Sequence, residues 1–161
     1  MANFLSIGNL LCGTLSIVCS VNRELHSAAL LILTGVLFDF ADGKTARFLG
    51  QASYFGKALD SLSDMVTFGI APVAAGIFLL HSSLYAEVVM ALFVSAGAWR
   101  LAYYIQWGEK IRPPGMPITM NGLIFPLLFL FNAPVSILIA CYFLSTLFMV
   151  GPIFLHGSAV S

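Results

Sequence analysis

The chain has 161 residues, 60% of them hydrophobic and only 9% charged, with a mean hydropathy of +0.97. A water-soluble domain carries about a quarter charged residues, so a soluble fold is excluded. A formal net charge of zero leaves no basic surface for nucleic acid.

Long apolar runs replace the alternating patterns of soluble helices and strands, which predicts an all-α polytopic membrane protein. Six spans fit in chain order. The first covers about Phe4 to Val21 and has neither a basic lead nor a cleavage-like end, so it reads as a retained span. Asn22, Arg23, Glu24 and His26 form a polar turn. The second span runs from about Ser27 to Phe48, and Gly50 to Ser53 lead into the third, Tyr54 to Leu80. His81 to Ser83 turn the chain into the fourth, Leu84 to Trp107. The loop GEKIRPPGMP blocks helix with its prolines and glycines. The fifth span is short, Ile118 to Phe131, and contains Pro126. After Asn132-Ala133-Pro134 comes the sixth, Val135 to Leu155. Cys12, Cys19 and Cys141 fall in apolar runs without metal-ligand spacing and read as packing residues.

Sidedness follows from Lys and Arg. Lys44, Arg47, Lys57, Lys110 and Arg112 fall at or near the 2–3 and 4–5 loops, against Arg23 alone at the opposite loops. Both termini are therefore expected in the cytoplasm.

Four of the seven acidic residues lie between Asp39 and Asp64. Asp39 and Asp42 are three apart, and Asp60 and Asp64 are four apart, so each pair shares one helix face. At ~1.5 Å per residue they lie on the order of 10–15 Å from the 2–3 loop, on antiparallel neighbours. Arg100 on span four and Asn121 on span five reach a similar level, and Asn9 on span one joins them if it points inward. Carboxylates inside an apolar protein need positive partners. Lys44, Arg47, Lys57 and Arg100 could neutralise them in a salt-bridge cluster. A proton or sodium pathway is a second account, but all four sit near one face and no matching polar set lies opposite. Divalent metal is the third: hard oxygen ligands suit Mg²⁺, Mn²⁺ or Ca²⁺, and two such ions would offset the charge. A pair of ions open to the cytoplasm suggests a lipid carrying a diphosphate. Gly43, Ala46 and Gly56 allow close approach of a helix or a ligand. Arg47 could grip a phosphate or snorkel.

Asp39, Asp42, Gly43, Ala46, Arg47, Gly56, Asp60 and Asp64 together form D-x2-D-G-x2-A-R-x8-G-x3-D-x3-D. This resembles, without departure, the signature of the CDP-alcohol phosphatidyltransferases. The resemblance implies one six-helix membrane domain over residues 1–161, a homodimer, and transfer of a phosphatidyl group from a CDP-linked lipid to an alcohol with release of CMP. It implies that Asp39, Asp42, Asp60 and Asp64 hold two divalent cations, Mg²⁺ or Mn²⁺ with Ca²⁺ as a further candidate. Asp64 would also be the general base. Gly43, Ala46, Arg47 and Gly56 would shape the CDP pocket. Ser6-x-x-Asn9 is similar to the first-helix T-x-x-N element, with Ser for Thr, which would bring Asn9 to the nucleotide. Five residues precede Ser6, so most of the amphipathic lead-in helix common in the family is expected to be missing.

The stretch Leu59 to Pro72, Arg100-Leu101-Ala102-x-Tyr104 and Gly115-Met116-Pro117-Ile118 resemble the serine-accepting, phosphatidylserine synthase branch. Ile105 departs from the Asn that often follows the second of these. L-Serine as acceptor would place its carboxylate at Arg100, always charged and fork-shaped, with Asn121 assisting. Arg100 could instead pair with a motif aspartate, and Asn121 could serve packing or the helix start. The rival acceptors are glycerol 3-phosphate and inositol phosphate; an ion-coupled transporter is the alternative outside enzymes. The expected setting is a prokaryotic cell membrane, with the site open to the cytoplasm and a CDP-diacylglycerol-type lipid as donor.

Overall fold

The computed structural model describes residues 2–49, 54–79, 83–107 and 115–157. Within them the chain is helical and contains no strand. The elements are α1 (Ala2–Val21), α2 (Leu25–Leu49), α3 (Tyr54–Asp64), a π-helical segment (Met65–Ile70), α4 (Ala71–Ile77), α5 (Leu84–Trp107), a 3-10 turn (Ile118–Met120), α6 (Asn121–Leu130) and α7 (Val135–Gly157). With α3, the π segment and α4 joined end to end, these make six rods on the six segments expected from hydropathy. The connection 50–53, residues 80–82 and the loop 108–114 with Lys110 and Arg112 lie outside the described residues.

Three helices, Asn3–Val21, Leu25–Gly43 and Leu84–Gln106, are long and apolar enough to cross a membrane, and Ile118–Leu130 and Val135–Gly151 are shorter apolar helices. Large apolar side chains face outward on every rod, among them Phe4, Leu15, Leu37, Leu62, Leu92, Phe131 and Phe148. In water such a surface would drive aggregation. In lipid it is the expected exterior, and the helices satisfy their own backbone groups there. The protein is a polytopic membrane protein.

Two of the turns share one device. Arg23 (φ 63°) and Asn132 (φ 49°) adopt left-handed backbone. After α1, Arg23 N–H donates to Ser20 O (2.9 Å) and Glu24 N–H to Cys19 O (2.9 Å). After α6, Asn132 N–H donates to Phe129 O (3.2 Å) and Ala133 N–H to Leu128 O (2.9 Å). This paired pattern closes a helix C-terminus by satisfying its last carbonyls. Asn suits the position. Arg23 does not by propensity, and its guanidinium lies 6.0 Å from the centre of the Phe78 ring.

The third rod is interrupted for a reason visible in its sequence. Pro72 has no N–H, and in a continuous α-helix its ring would meet the carbonyl four residues back, that of Phe68. The backbone widens before it: Ala71 N–H donates to Val66 O, five residues back, as in a π turn. Tyr142 of α7, fully buried, donates its hydroxyl to Pro72 O at 2.7 Å. Its ring stacks on Phe125 with centroids 4.2 Å apart, and Phe93 packs edge-on against both. The core centre thus holds the end of the interruption.

Glycines from the other rods let the π segment sit close. A Cβ on Gly13 of α1 would overlap Thr67 Oγ1 and come within 2.8 Å of Thr67 Cα; one on Gly35 of α2 would meet Thr67 Cγ2 at 2.6 Å; one on Gly122 of α6 would meet Phe68 Cε1 at 2.6 Å. At Gly13 the obstacle is backbone and cannot swing away. Gly13→Ala is therefore expected to destabilise the protein by about 1–3 kcal/mol, the usual cost of overpacking. A thermal melt in detergent reads this as a lower midpoint. An unchanged midpoint would mean that α1 does not lie against the π segment.

Candidate metal centre

The end of α2 and the whole of α3 bring the motif aspartates together. Asp39, Asp60 and Asp64 each present a carboxylate oxygen, and these oxygens all lie within 4.8 Å of one another. Asp39 and Asp60 are half-buried and Asp64 is buried. Three carboxylates at this range repel one another, and scarce water screens them poorly. The donor set is oxygen only, without thiolate or imidazole, which fits a hard divalent cation. Asp39, Asp60 and Asp64 are the residues that could hold one.

Asp42, the fourth motif aspartate, meets α1. It is buried, and its Oδ2 accepts a hydrogen bond from the Ser6 hydroxyl of α1. Asn9, one turn beyond Ser6 on the same face, points inward. It is fully buried, and its Nδ2 donates to Asp64 Oδ1 at 3.0 Å. Thr67 of the π segment donates its hydroxyl to Asn9 O at 2.9 Å. The first helix therefore grips two of the four motif aspartates through Ser6 and Asn9.

Of the residues expected around a nucleotide, Gly43 is exposed at the end of α2 and Gly56 is half-buried in α3. Ala46 and Arg47 lie on α2, but their side chains fall outside the described residues. Lys57 Nζ lies 5.0 Å from the centre of the Tyr104 ring of α5.

Arg100 and Asn121 are both buried and both reach Met149 of α7. Arg100 donates from Nη2 to Gly115 O at 3.1 Å and from Nη1 to Met149 O at 3.5 Å. Asn121 Nδ2 lies 3.6 Å from Met149 Sδ, and its buried Oδ1 has no hydrogen-bond partner among the described residues. Met116 N–H donates to Phe148 O at 3.1 Å, so α5, the segment entering α6 and α7 are stitched at one level. Sequence reasoning missed Met149, Thr67, Gly13 and Gly35. Thr67 lies inside the stretch resembling the serine-accepting branch, and that was its only signal. The other three sit in apolar runs with nothing to set them apart.

Comparison with known proteins completes this picture. The family model described as CDP-alcohol phosphatidyltransferase matches residues 1–156. The CDP-diacylglycerol--serine O-phosphatidyltransferase of Bacillus subtilis (strain 168) is 36% identical over 146 residues, covering 89% of this chain and 82% of that protein. The archaetidylserine synthase of Methanothermobacter thermautotrophicus is 34% identical over 131 residues, 76% of this chain and 54% of that protein. The CDP-diacylglycerol--serine O-phosphatidyltransferase of Saccharomyces cerevisiae is 34% identical over 111 residues, 65% of this chain and 40% of that protein. The chain is thus similar to most of the bacterial relative and to about half of the length of the other two.

Proposed function

This chain belongs to the CDP-alcohol phosphatidyltransferase family, and from that premise we propose that it transfers a phosphatidyl group, or its archaeal equivalent, from a CDP-linked lipid to L-serine. The observation that carries the reading is the convergence of Asp39, Asp60 and Asp64, with Asn9 bonded to Asp64, in a membrane protein whose relatives bear serine-transferring names.

Serine's hydroxyl is a poor nucleophile until a carboxylate takes its proton. Asp64 is assigned that role. The serine oxygen attacks the β-phosphorus and forms the new P–O bond. The bond from that phosphorus to the bridging oxygen breaks, CMP leaves with that oxygen, and the proton passes to Asp64. Asp39, Asp42, Asp60 and Asp64 are assigned to two divalent cations, Mg²⁺ or Mn²⁺. When bound, such ions neutralise charge building on the diphosphate and on the departing CMP. No Ser/His or Cys/His constellation stands in the motif, so the reading needs no covalent enzyme intermediate. Gly43, Ala46, Arg47 and Gly56 are assigned to the CDP pocket.

Arg100 and Asn121 are assigned to the acceptor. The Arg100 guanidinium suits the serine carboxylate, and Asn121 Oδ1, without a partner among the described residues, suits its ammonium group. Because a buried acceptor left alone is costly, a ligand at that oxygen is a natural complement. The chain is further assigned six spans in a single domain, cytoplasmic termini and active site, a homodimeric state and a prokaryotic cell membrane.

The test is CMP release by the purified protein from CDP-diacylglycerol with Mn²⁺ or Mg²⁺. Serine, glycerol 3-phosphate and inositol 1-phosphate are compared in parallel. Release with serine alone is expected. Release with a phosphorylated acceptor would keep the donor chemistry and overturn serine together with the role of Arg100.

A further inference from the structure

We propose that Asn9 is a positioning residue for Asp64. Its amide holds one carboxylate oxygen in place, so that the other is presented to the cation and the acceptor hydroxyl. This rests on Asp64 being a metal ligand and base, as assigned above. The first-helix resemblance suggests a nucleotide contact for Asn9; the geometry points one step further back.

The side chain is fully buried, and Nδ2 donates to Asp64 Oδ1 at 3.0 Å. The opposite end of the amide, Oδ1, has no hydrogen-bond partner among the described residues. It lies against Gly35, 2.9 Å from where a Cβ there would sit. The amide is thus wedged between α2 and Asp64, and among the described residues Asp64 is the one side chain it bonds. Its direction is chemically fixed, since the reverse orientation would set the amide oxygen against a carboxylate oxygen.

The backbone of Asn9 is clamped too. Thr67 donates to Asn9 O at 2.9 Å, and Gly13, one turn on, leaves the room Thr67 needs. Asp64 and Thr67 lie on either side of the start of the π segment, and Asn9 bonds to both. A hydrogen-bond donor behind a ligating group fixes its orientation, and losing such a partner typically lowers metal affinity or activity by about 10–100-fold.

Three preparations test this: Asn9→Ala, Asp64→Asn and the double variant. Mn²⁺ affinity is measured by electron paramagnetic resonance, CMP release gives kcat and KM, and infrared spectra are taken with ¹³C-labelled aspartate. In Asn9→Ala, Mn²⁺ affinity should fall by about 10–100-fold, and kcat should fall while KM for the CDP-lipid stays within about two-fold. The carboxylate band that disappears in Asp64→Asn should shift in Asn9→Ala. The double variant should bind Mn²⁺ no more weakly than Asp64→Asn, because Asn9 acts only through Asp64.

An unshifted band overturns the proposal whatever the enzyme does. So do additive losses in the double variant, or a raised KM for the CDP-lipid at unchanged kcat, which would make Asn9 a nucleotide contact. If Asn9→Ala does not fold, Asn9→Ser, too short to reach Asp64, replaces it with the same expectations. If the wild-type protein binds Mn²⁺ and Asn9→Ala shows the band shift, a wild-type protein that releases no CMP would sink the transfer reading and leave the Asn9–Asp64 link standing.

Discussion

Asp64→Asn should reduce CMP release by about 10³-fold or more while the helices stay intact. Asparagine has nearly the same shape, and its amide oxygen can still accept from Asn9 Nδ2. What disappears is the negative charge and the ability to take a proton. Losing a general base alone costs about 10²–10⁴-fold, and loss of a charged ligand adds to it. The fold should not suffer, because the substitution relieves repulsion among three carboxylates whose oxygens lie within 4.8 Å of one another. In chelator its melting midpoint should be no lower than that of the parent protein, and circular dichroism should match. A variant that is folded and fully active would show that another group takes the proton.

Removing divalent cations should have an effect of similar size. EDTA is expected to stop CMP release, and excess Mn²⁺ or Mg²⁺ to restore it. The same ions should raise the melting midpoint, since a ligand at 100 times its Kd stabilises a folded protein by about 2.7 kcal/mol. Replacing Asp39 or Asp60 with Asn should shrink that shift. Asp42→Asn should shrink it as well, because Asp42 is assigned to the same two cations. Undiminished turnover in EDTA would mean that the acidic cluster has another purpose, such as pairing with the basic residues near it.

Much of this architecture was legible in the sequence. Apolar runs of the right length located the rods, because a bilayer leaves a helix few alternatives. The i, i+3 and i, i+4 spacing of the aspartates located the acidic centre. Spacing did not reveal the hydrogen bond from Ser6 to Asp42, which depends on α1 lying opposite. It also could not orient Asn9. Arg100 and Asn121 stood out as polar residues in apolar spans, yet their shared neighbour Met149 was invisible. Spans that are apolar all round give no pattern to say that α5 packs on α7. Pro72 is visible inside the third span, but a proline alone does not say whether a helix kinks or widens.

The π turn ahead of Pro72 also acts as a phase shifter. A π turn carries one residue more than an α turn, and one residue is about 100° of rotation. The carboxylate-bearing half of the rod and its proline-bearing half are therefore indexed to different compass bearings. One half can face Asp39 and Asn9, and the other can present Pro72 O to Tyr142. An uninterrupted helix would align one set of contacts and misdirect the other. The interruption uncouples the bearing of the chemistry from that of the core, within a single pass of the chain.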